Sequence, residues 1–144
     1  MDTLVEMMRK VLADTFAMYL KAHNYHWNVE GPNFPQYHEF FGNLYEELHG
    51  AIDPIAEQIR ALDAYAPGSF SRYMELSDIQ DELNVPMGIE MANRLMLDNE
   101  IVLNSLNMAF KLADQFDKQG LADFLAGRID VHHKHRWMLR SITK

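Results

Sequence analysis

Apolar residues recur along the chain at steps of three and four. Leu4, Val5, Met8, Val11, Leu12, Phe16, Tyr19 and Leu20 share one stripe, which His23 and Trp27 continue. That period belongs to an amphipathic helix. Thr3 and Glu6 have the spacing of a capping box, so this first helix is expected to start almost at the first residue, with no arm before it. It should stop near Val29, because Gly31 and Pro32 follow. Asn33 with Gln36 is expected to cap a second helix, and Pro35 falls in its first turn, where a missing N–H costs little. The stripe of the second helix is Phe41, Leu44, Tyr45, Leu48, Ile52, Ile55, Ile59 and Leu62, fading at "DAYAPGSFS". The stretch from about Ala64 to Val85 is too long for a tight turn between neighbouring helices, and Ser77 with Gln80 predicts a short capped helix inside it, "SDIQDEL". A third long helix is expected from about Pro86 to Phe116. After a turn at "DKQG", a fourth should run from Leu121 to about Ile142.

Helix, short turn, helix, long crossover, helix, short turn, helix is the order of an all-α, ferritin-like four-helix bundle, here with a crossover carrying a short extra helix. The 144 residues suit one domain spanning 1–144. Hydrophobic residues make up 48% of the chain, yet no uninterrupted apolar run approaches the roughly 18 to 20 residues of a membrane span. No basic start leads into an apolar stretch and a small-residue cleavage site, so a cytoplasmic protein is expected. The absence of cysteine rules out disulfides and thiolate metal sites, so any transition metal must be held by imidazole and carboxylate. A formal charge of −8 argues against broad contact with a phosphate backbone and is compatible with handling cations.

The second helix carries a further stripe. At about 100° per residue, His38, Gly42, Glu46, His49, Asp53 and Glu57 gather on one flank of the apolar face. An ordinary solvated face would give a similar spread of charge. Gly42 and Gly50 point to something packed close, since a glycine inside a helix costs about 1 kcal/mol relative to alanine. His26 lies six residues before Pro32 and His38 six after it, so an antiparallel hairpin brings the two to similar heights. Asp53 and Glu57, four apart, project as neighbours. The histidine pair and the carboxylate pair nevertheless lie about 22 Å apart along one helix. They can share an ion only if two copies of the chain pair about a two-fold axis, with the second helices crossing antiparallel near Glu46 and His49, which creates two equivalent sites. Imidazole with carboxylate suits iron better than magnesium or calcium.

At these residues, "HWNVEGPNFPQYHEFF" followed by "DPIAEQIRAL", and again at the terminal "HRWMLRS", the sequence resembles the Dps family, the mini-ferritins named as DNA-binding proteins from starved cells. The resemblance covers essentially the whole chain. It implies that His26, His38, Asp53 and Glu57 are ferroxidase ligands and that Trp27 stands beside the iron site. It further implies a homo-oligomer, a hollow dodecamer built from two-fold dimers, which oxidises Fe(II) with hydrogen peroxide in preference to dioxygen and stores the ferric product. For Trp27 the alternative is a large apolar residue capping the hairpin core. The family's acidic three-fold channel corresponds here to "DQFDKQGLADFLAGRID", with Asp114, Asp117, Asp123 and Asp130 as candidates and Asp123 first among them. Asp near a helix N-terminus is also stabilised by the helix dipole without any channel. Many members have an Asp where this chain has Gly42, which implies a weaker second iron position, and Pro54 is expected to loosen the helix between the carboxylates. The Lys-rich N-terminal tail by which some relatives hold DNA is missing, so DNA is not an expected partner. The basic cluster Lys134, Arg136, Arg140 and Lys144 suits a helix C-terminus.

Two other readings remain open at this point. One is a di-iron site inside each bundle, from Glu46 with His49 and Asp130 with His133; the other is a non-enzymatic helical scaffold with hydrogen-bonded histidines. His132 and His135 are expected on an exposed helix end rather than in a metal site, and the ten methionines on core positions as packing.

Overall fold

A computed structural model describes residues 1–144 as five helices: α1 (Asp2–Asn28), α2 (Phe34–Ala61), α3 (Phe70–Leu76), α4 (Gly88–Gln115) and α5 (Gln119–Ile142). The four long ones form the expected bundle with one overhand crossover. α1 packs on α2 and α4, and α4 on α5, while α3 lies against α1. A core of 25 buried residues is drawn from all four long helices, with Leu12, Met18, Phe41, Leu48, Ile55, Met91, Leu95 and Leu125 fully enclosed. Truncating any one of these to alanine typically costs about 2 to 5 kcal/mol.

The crossover is held by three side chains on one face of α1. Asp14, wholly buried, accepts from Ser77 Oγ at 2.8 Å, the Asp78 backbone N–H at 3.1 Å and Ser105 Oγ at 2.6 Å. Lys21 donates to the Gln80 carbonyl and pairs with Asp98, both at 3.0 Å. Tyr25 donates to Glu82 at 2.7 Å, and Glu82 is paired with Arg94. Asp14, Lys21 and Tyr25 rise about 10 Å and then 6 Å along a helix. An extended backbone covers the same heights in two to three residues, so residues 77–82 climb alongside α1 in its own direction. The contacts of Lys21 with Asp98 and of Asp14 with Ser105 then fix α4 antiparallel to α1, and α2 and α4 run the same way.

This anchoring displaces the short helix from its expected place. Ser69, not Ser77, caps it, accepting the Arg72 N–H at 3.3 Å. Ser77, itself extended, instead ends the helix and is captured by Asp14, so "SDIQDEL" forms no helix. The Thr3–Glu6 capping box is not formed: α1 starts at Asp2 without a side-chain cap, and Glu6 pairs with Arg9 at 2.5 Å. Asn33 occupies the cap position of α2 but makes no side-chain cap bond. α2 stays helical through Pro54. Met8, Met18 and Met91 are buried as expected, whereas Met74, Met87 and Met108 are exposed. No helix is long and apolar enough to cross a membrane.

His132 and His135 do not lie on an exposed helix end; both are buried. α5 reaches α2 through His135 and Arg128, and α4 through His132. Arg128 forms a two-pronged pair with Glu47, and His135 donates from Nε2 to the same carboxylate at 2.7 Å. The His132 ring is fixed as a neutral tautomer: Nδ1–H donates to Asn99 Oδ1 at 2.8 Å, and Nε2 accepts from Arg128 at 2.9 Å. Beside this network a cleft of about 370 Å³ opens between Phe40 and Leu44 of α2 and Val131 and Met138 of α5.

Burial pushes the Glu47 carboxyl upward, but the hydrogen bonds from His135 and Arg128 outweigh it and hold the group at about 2, against an ordinary 4.5. Burial, followed by the Arg128 charge, pushes the His132 imidazole well below its ordinary 6.5. In both cases the unfolded chain binds the proton more readily than the folded one, so both lower stability as acid is added. The His132 contribution starts to fall below about pH 6.5, and that of Glu47 is lost between about pH 4.5 and 2. An NMR titration is expected to show the His132 ring neutral until the chain unfolds. Glu47→Gln, which leaves Arg128 without its counter-charge, is expected to cost about 3 kcal/mol at neutral pH in denaturant unfolding.

Candidate metal centre

The hairpin between α1 and α2 is set by its connection. Val29 turns extended (φ −64°, ψ 141°) and its N–H closes the last turn onto the Tyr25 carbonyl at 3.0 Å. Gly31 then takes φ +114°, a conformation that side chains rarely adopt. The Phe34 N–H returns to the Gly31 carbonyl at 3.0 Å and starts α2.

This geometry places His26 and His38 ring on ring, with centroids 3.8 Å apart and planes 16° off parallel. The contact is reciprocal: His26 Nδ1 lies 2.7 Å from the His38 carbonyl, and His38 Nδ1 lies 2.7 Å from the His26 carbonyl. A carbonyl only accepts, so each Nδ1 carries its hydrogen, which leaves Nε2 as the ring position available to a metal. Metal-binding imidazoles are commonly oriented by such a hydrogen bond at the other nitrogen. Gly42 is required by the same packing. A Cβ there would stand 3.0 Å from the His26 ring, so the close approach suggested by this glycine exists within the chain. At Gly50 a Cβ would meet nothing.

Asp53 and Glu57 project side by side and exposed from the far half of α2. The fold brings His26 to His38 and Asp53 to Glu57, but does not join the two pairs, and no three potential ligands converge within one chain. Glu46, His49, Asp130 and His133 are all exposed and form no cluster inside the bundle. Asp114, Asp117, Asp123 and Asp130 are likewise exposed, at the end of α4, in the turn after it and along α5. Asp117 holds the turn with φ 56°.

Trp27 does not cap the hairpin core. It is 60% exposed and lies on His23, with ring centroids 3.9 Å apart. His23 also stacks on Tyr45 at 3.8 Å with planes 6° apart, and its Nδ1 meets the Tyr19 hydroxyl at 3.0 Å. Burial, together with His26 and His49, pushes the His23 imidazole below its ordinary range. The sequence carried a trace of this group in the spacing of Tyr19, His23 and Trp27, four and four apart, which was absorbed into the apolar stripe.

Residues 5–144 match the family model of the ferritin-like domain. DNA protection during starvation protein 2 of Bacillus anthracis is 35% identical over 138 residues, which cover 96% of this chain and 94% of that one. The chain belongs to the Dps family. An uncharacterised low temperature-induced protein of Nostoc is 34% identical over 143 residues, covering 98% of this chain and 80% of its own length. Among solved structures, the Dps protein from Bacillus brevis superimposes with a TM-score of 0.94 at 29% identity, covering 99% of this chain and 96% of that one. The Dps protein from Vibrio cholerae O1, described as a member of a broad superfamily of ferritin-like diiron-carboxylate proteins, gives a TM-score of 0.95 at 27% identity, covering 99% and 90%.

Replacing Gly42 tests the histidine packing. Alanine in a helix interior normally gains about 1 kcal/mol over glycine. In Gly42→Ala the methyl meets the His26 ring, so thermal unfolding is expected to show no gain or a loss. A midpoint raised by several degrees would contradict the close contact.

Proposed function

We propose that this Dps-family protein takes up Fe(II), oxidises it at sites shared between two copies of the chain, and retains the ferric product in a closed homo-oligomeric cage, protecting its surroundings from oxidative damage. The observation that carries this reading is the His26–His38 pair, with both Nε2 positions left open, while the exposed Asp53 and Glu57 lie about 22 Å and about 28 Å away along the same helix. Two copies related by a two-fold axis bring the pair of one to the carboxylates of the other, giving a mixed nitrogen and oxygen donor set suited to iron. The relatives' membership of the diiron-carboxylate superfamily supports the same cargo. In this reading His26 and His38 orient the ion, and Asp53 and Glu57 of the second copy balance its charge. Each Fe(II) gives up one electron, and two such electrons reduce one hydrogen peroxide to water. Acid that protonates imidazole weakens the site by removing a ligand lone pair. Trp27, two ring contacts from His26 by way of His23, is a neighbour of the site rather than a ligand. A cage of twelve subunits in the cytoplasm is the form suggested by the resemblance.

The exposure of Glu46, His49, Asp130 and His133 counts against a site inside each bundle. The net charge of −8 speaks against duplex DNA as a partner at physiological salt. Arg136 of the C-terminal basic cluster is already paired with Glu100 at 2.6 Å.

The protein is expected to accelerate Fe(II) oxidation by peroxide, and His38→Ala or Asp53→Ala to abolish most of the gain with helicity unchanged. Equal rates in variant and parent would favour the scaffold. Chains lacking both histidines, mixed with chains lacking both carboxylates, should recover about a quarter of the sites if they pair at random; an intrasubunit site would show no rescue. For iron entry, Asp123 lies four residues past Gln119, where α5 begins, beyond the first turn in which the helix dipole acts most strongly. Three copies around a symmetry axis would concentrate cations. Asp123→Asn is expected to slow iron accumulation while leaving the thermal midpoint of the assembly nearly unchanged. Unchanged uptake with a lower midpoint would make it a helix stabiliser.

A further inference from the structure

We propose that Tyr19 and His23 form a proton-coupled redox pair that supplies single electrons to oxidants generated at the iron site. The pair is defined by geometry: the Tyr19 hydroxyl lies 3.0 Å from His23 Nδ1, one turn along α1. A phenol is the stronger acid of the two, so Oη–H donates and Nδ1 accepts. Removing an electron from a phenol makes it a far stronger acid than any imidazolium, so oxidation at neutral pH requires a base already in contact with the hydroxyl. Tyr19 has one. Tyr25 also meets a base, the Glu82 carboxylate at 2.7 Å, but that group is tied up. Burial pushes the Glu82 carboxyl upward, yet its bonds from Tyr25 and Arg94 hold it below the usual range, and burial pushes the Tyr25 phenol up.

A path of ring contacts joins the pair to the histidines of the candidate centre. The His26 and Tyr45 centroids are 5.2 Å apart, Tyr45 stacks on His23 at 3.8 Å, and Tyr19 lies 6.2 Å from Tyr45. The function proposed above, on which this inference rests, draws both electrons from two Fe(II), so a donor in the protein is called on when the site holds only one. Hydrogen peroxide takes two electrons, and a single Fe(II) gives one. With Tyr19 as the second donor the step balances. Fe(II), one hydrogen peroxide and two protons from solvent give Fe(III) and two waters, while Tyr19 becomes a neutral tyrosyl radical and its phenolic proton passes to His23 Nδ1. The O–O bond breaks without release of hydroxyl radical.

The pair can be tested without iron. The whole protein is flashed with tris(bipyridine)ruthenium(II) and persulfate, a one-electron oxidant, and the tyrosyl radical is followed by electron paramagnetic resonance. The parent is expected to give a long-lived tyrosyl component that is lost in Tyr19→Phe and lost or sharply shortened in His23→Gln, with helicity and Co(II) binding as in the parent. A long-lived component that survives in either variant overturns the pair. With Fe(II) and hydrogen peroxide, the parent should form the same radical, and Tyr19→Phe should release severalfold more hydroxyl radical to a spin trap per Fe(II) oxidised. Equal trapping overturns the link to iron. If the parent oxidises no Fe(II), the function proposed above fails, and the flash experiment alone decides the pair.

Discussion

Everything in the bundle depends on how its two hairpins are tied together. α1–α2 and α4–α5 are each closed by a few residues, but the link between them must climb the height of the molecule with little helix of its own. A bare extended strand on a helical surface would leave backbone groups to water and gain little apolar contact. Asp14 answers this by putting a carboxylate inside the protein, where an unpaired charge would be very costly, and surrounding it with donors from the crossover and α4. Lys21 and Tyr25 repeat the arrangement at higher levels. Because the strand rises with α1, α4 must descend, and the outer face of the first hairpin keeps its histidines clear of the crossover's polar anchors.

The same hairpin divides the chemistry into two unlike halves. At its turn, two imidazoles are rigidly held, each by the other's backbone. About four to five helical turns away along α2, two carboxylates are exposed. Between the halves runs the stretch holding Glu46, His49 and Gly50, all exposed, where a second helix can approach without meeting a Cβ at Gly50. On the opposite side of α2, Glu47 is drawn toward α5 by Arg128 and His135. Adjacent residues of α2 thus serve different tasks, one turned outward and one locking the bundle.

The long helices, the hairpin break and the meeting of His26 with His38 could be read from sequence because each is local or fixed by counting from a turn. Periodicity located the four helices to within a few residues, and the distance of each histidine from Pro32 set their height. What escaped was decided by partners far away. Ser77 is as good a cap as Ser69 in isolation, and only Asp14, 63 residues distant, draws it out of a helix. His132 and His135 look like surface residues beside Lys134 and Arg136 until Glu47, more than 80 positions earlier, is placed opposite them. Trp27, expected beside the iron site with core packing as the alternative, continues an apolar stripe by spacing, yet between the buried Tyr25 and Val29 it turns outward onto His23. Asp114, Asp117, Asp123 and Asp130, exposed around the α4–α5 turn, carry no local signal that separates a channel from ordinary helix-end acids.

The mutual locking of His26 and His38 bears on which metals reach the protein, and when. Two imidazoles with fixed, outward lone pairs are ready to bind before any ion arrives, and by themselves they rank divalent metals in the usual order, with copper and zinc above iron. The separate chain is therefore open to the wrong ion at its turn. On the function proposed above, the hard oxygen donors of a second copy close over the pair and complete a mixed set that iron accepts. On that reading the order of assembly matters: copper or zinc met before the chains pair competes for the histidines while the carboxylates are still far from them.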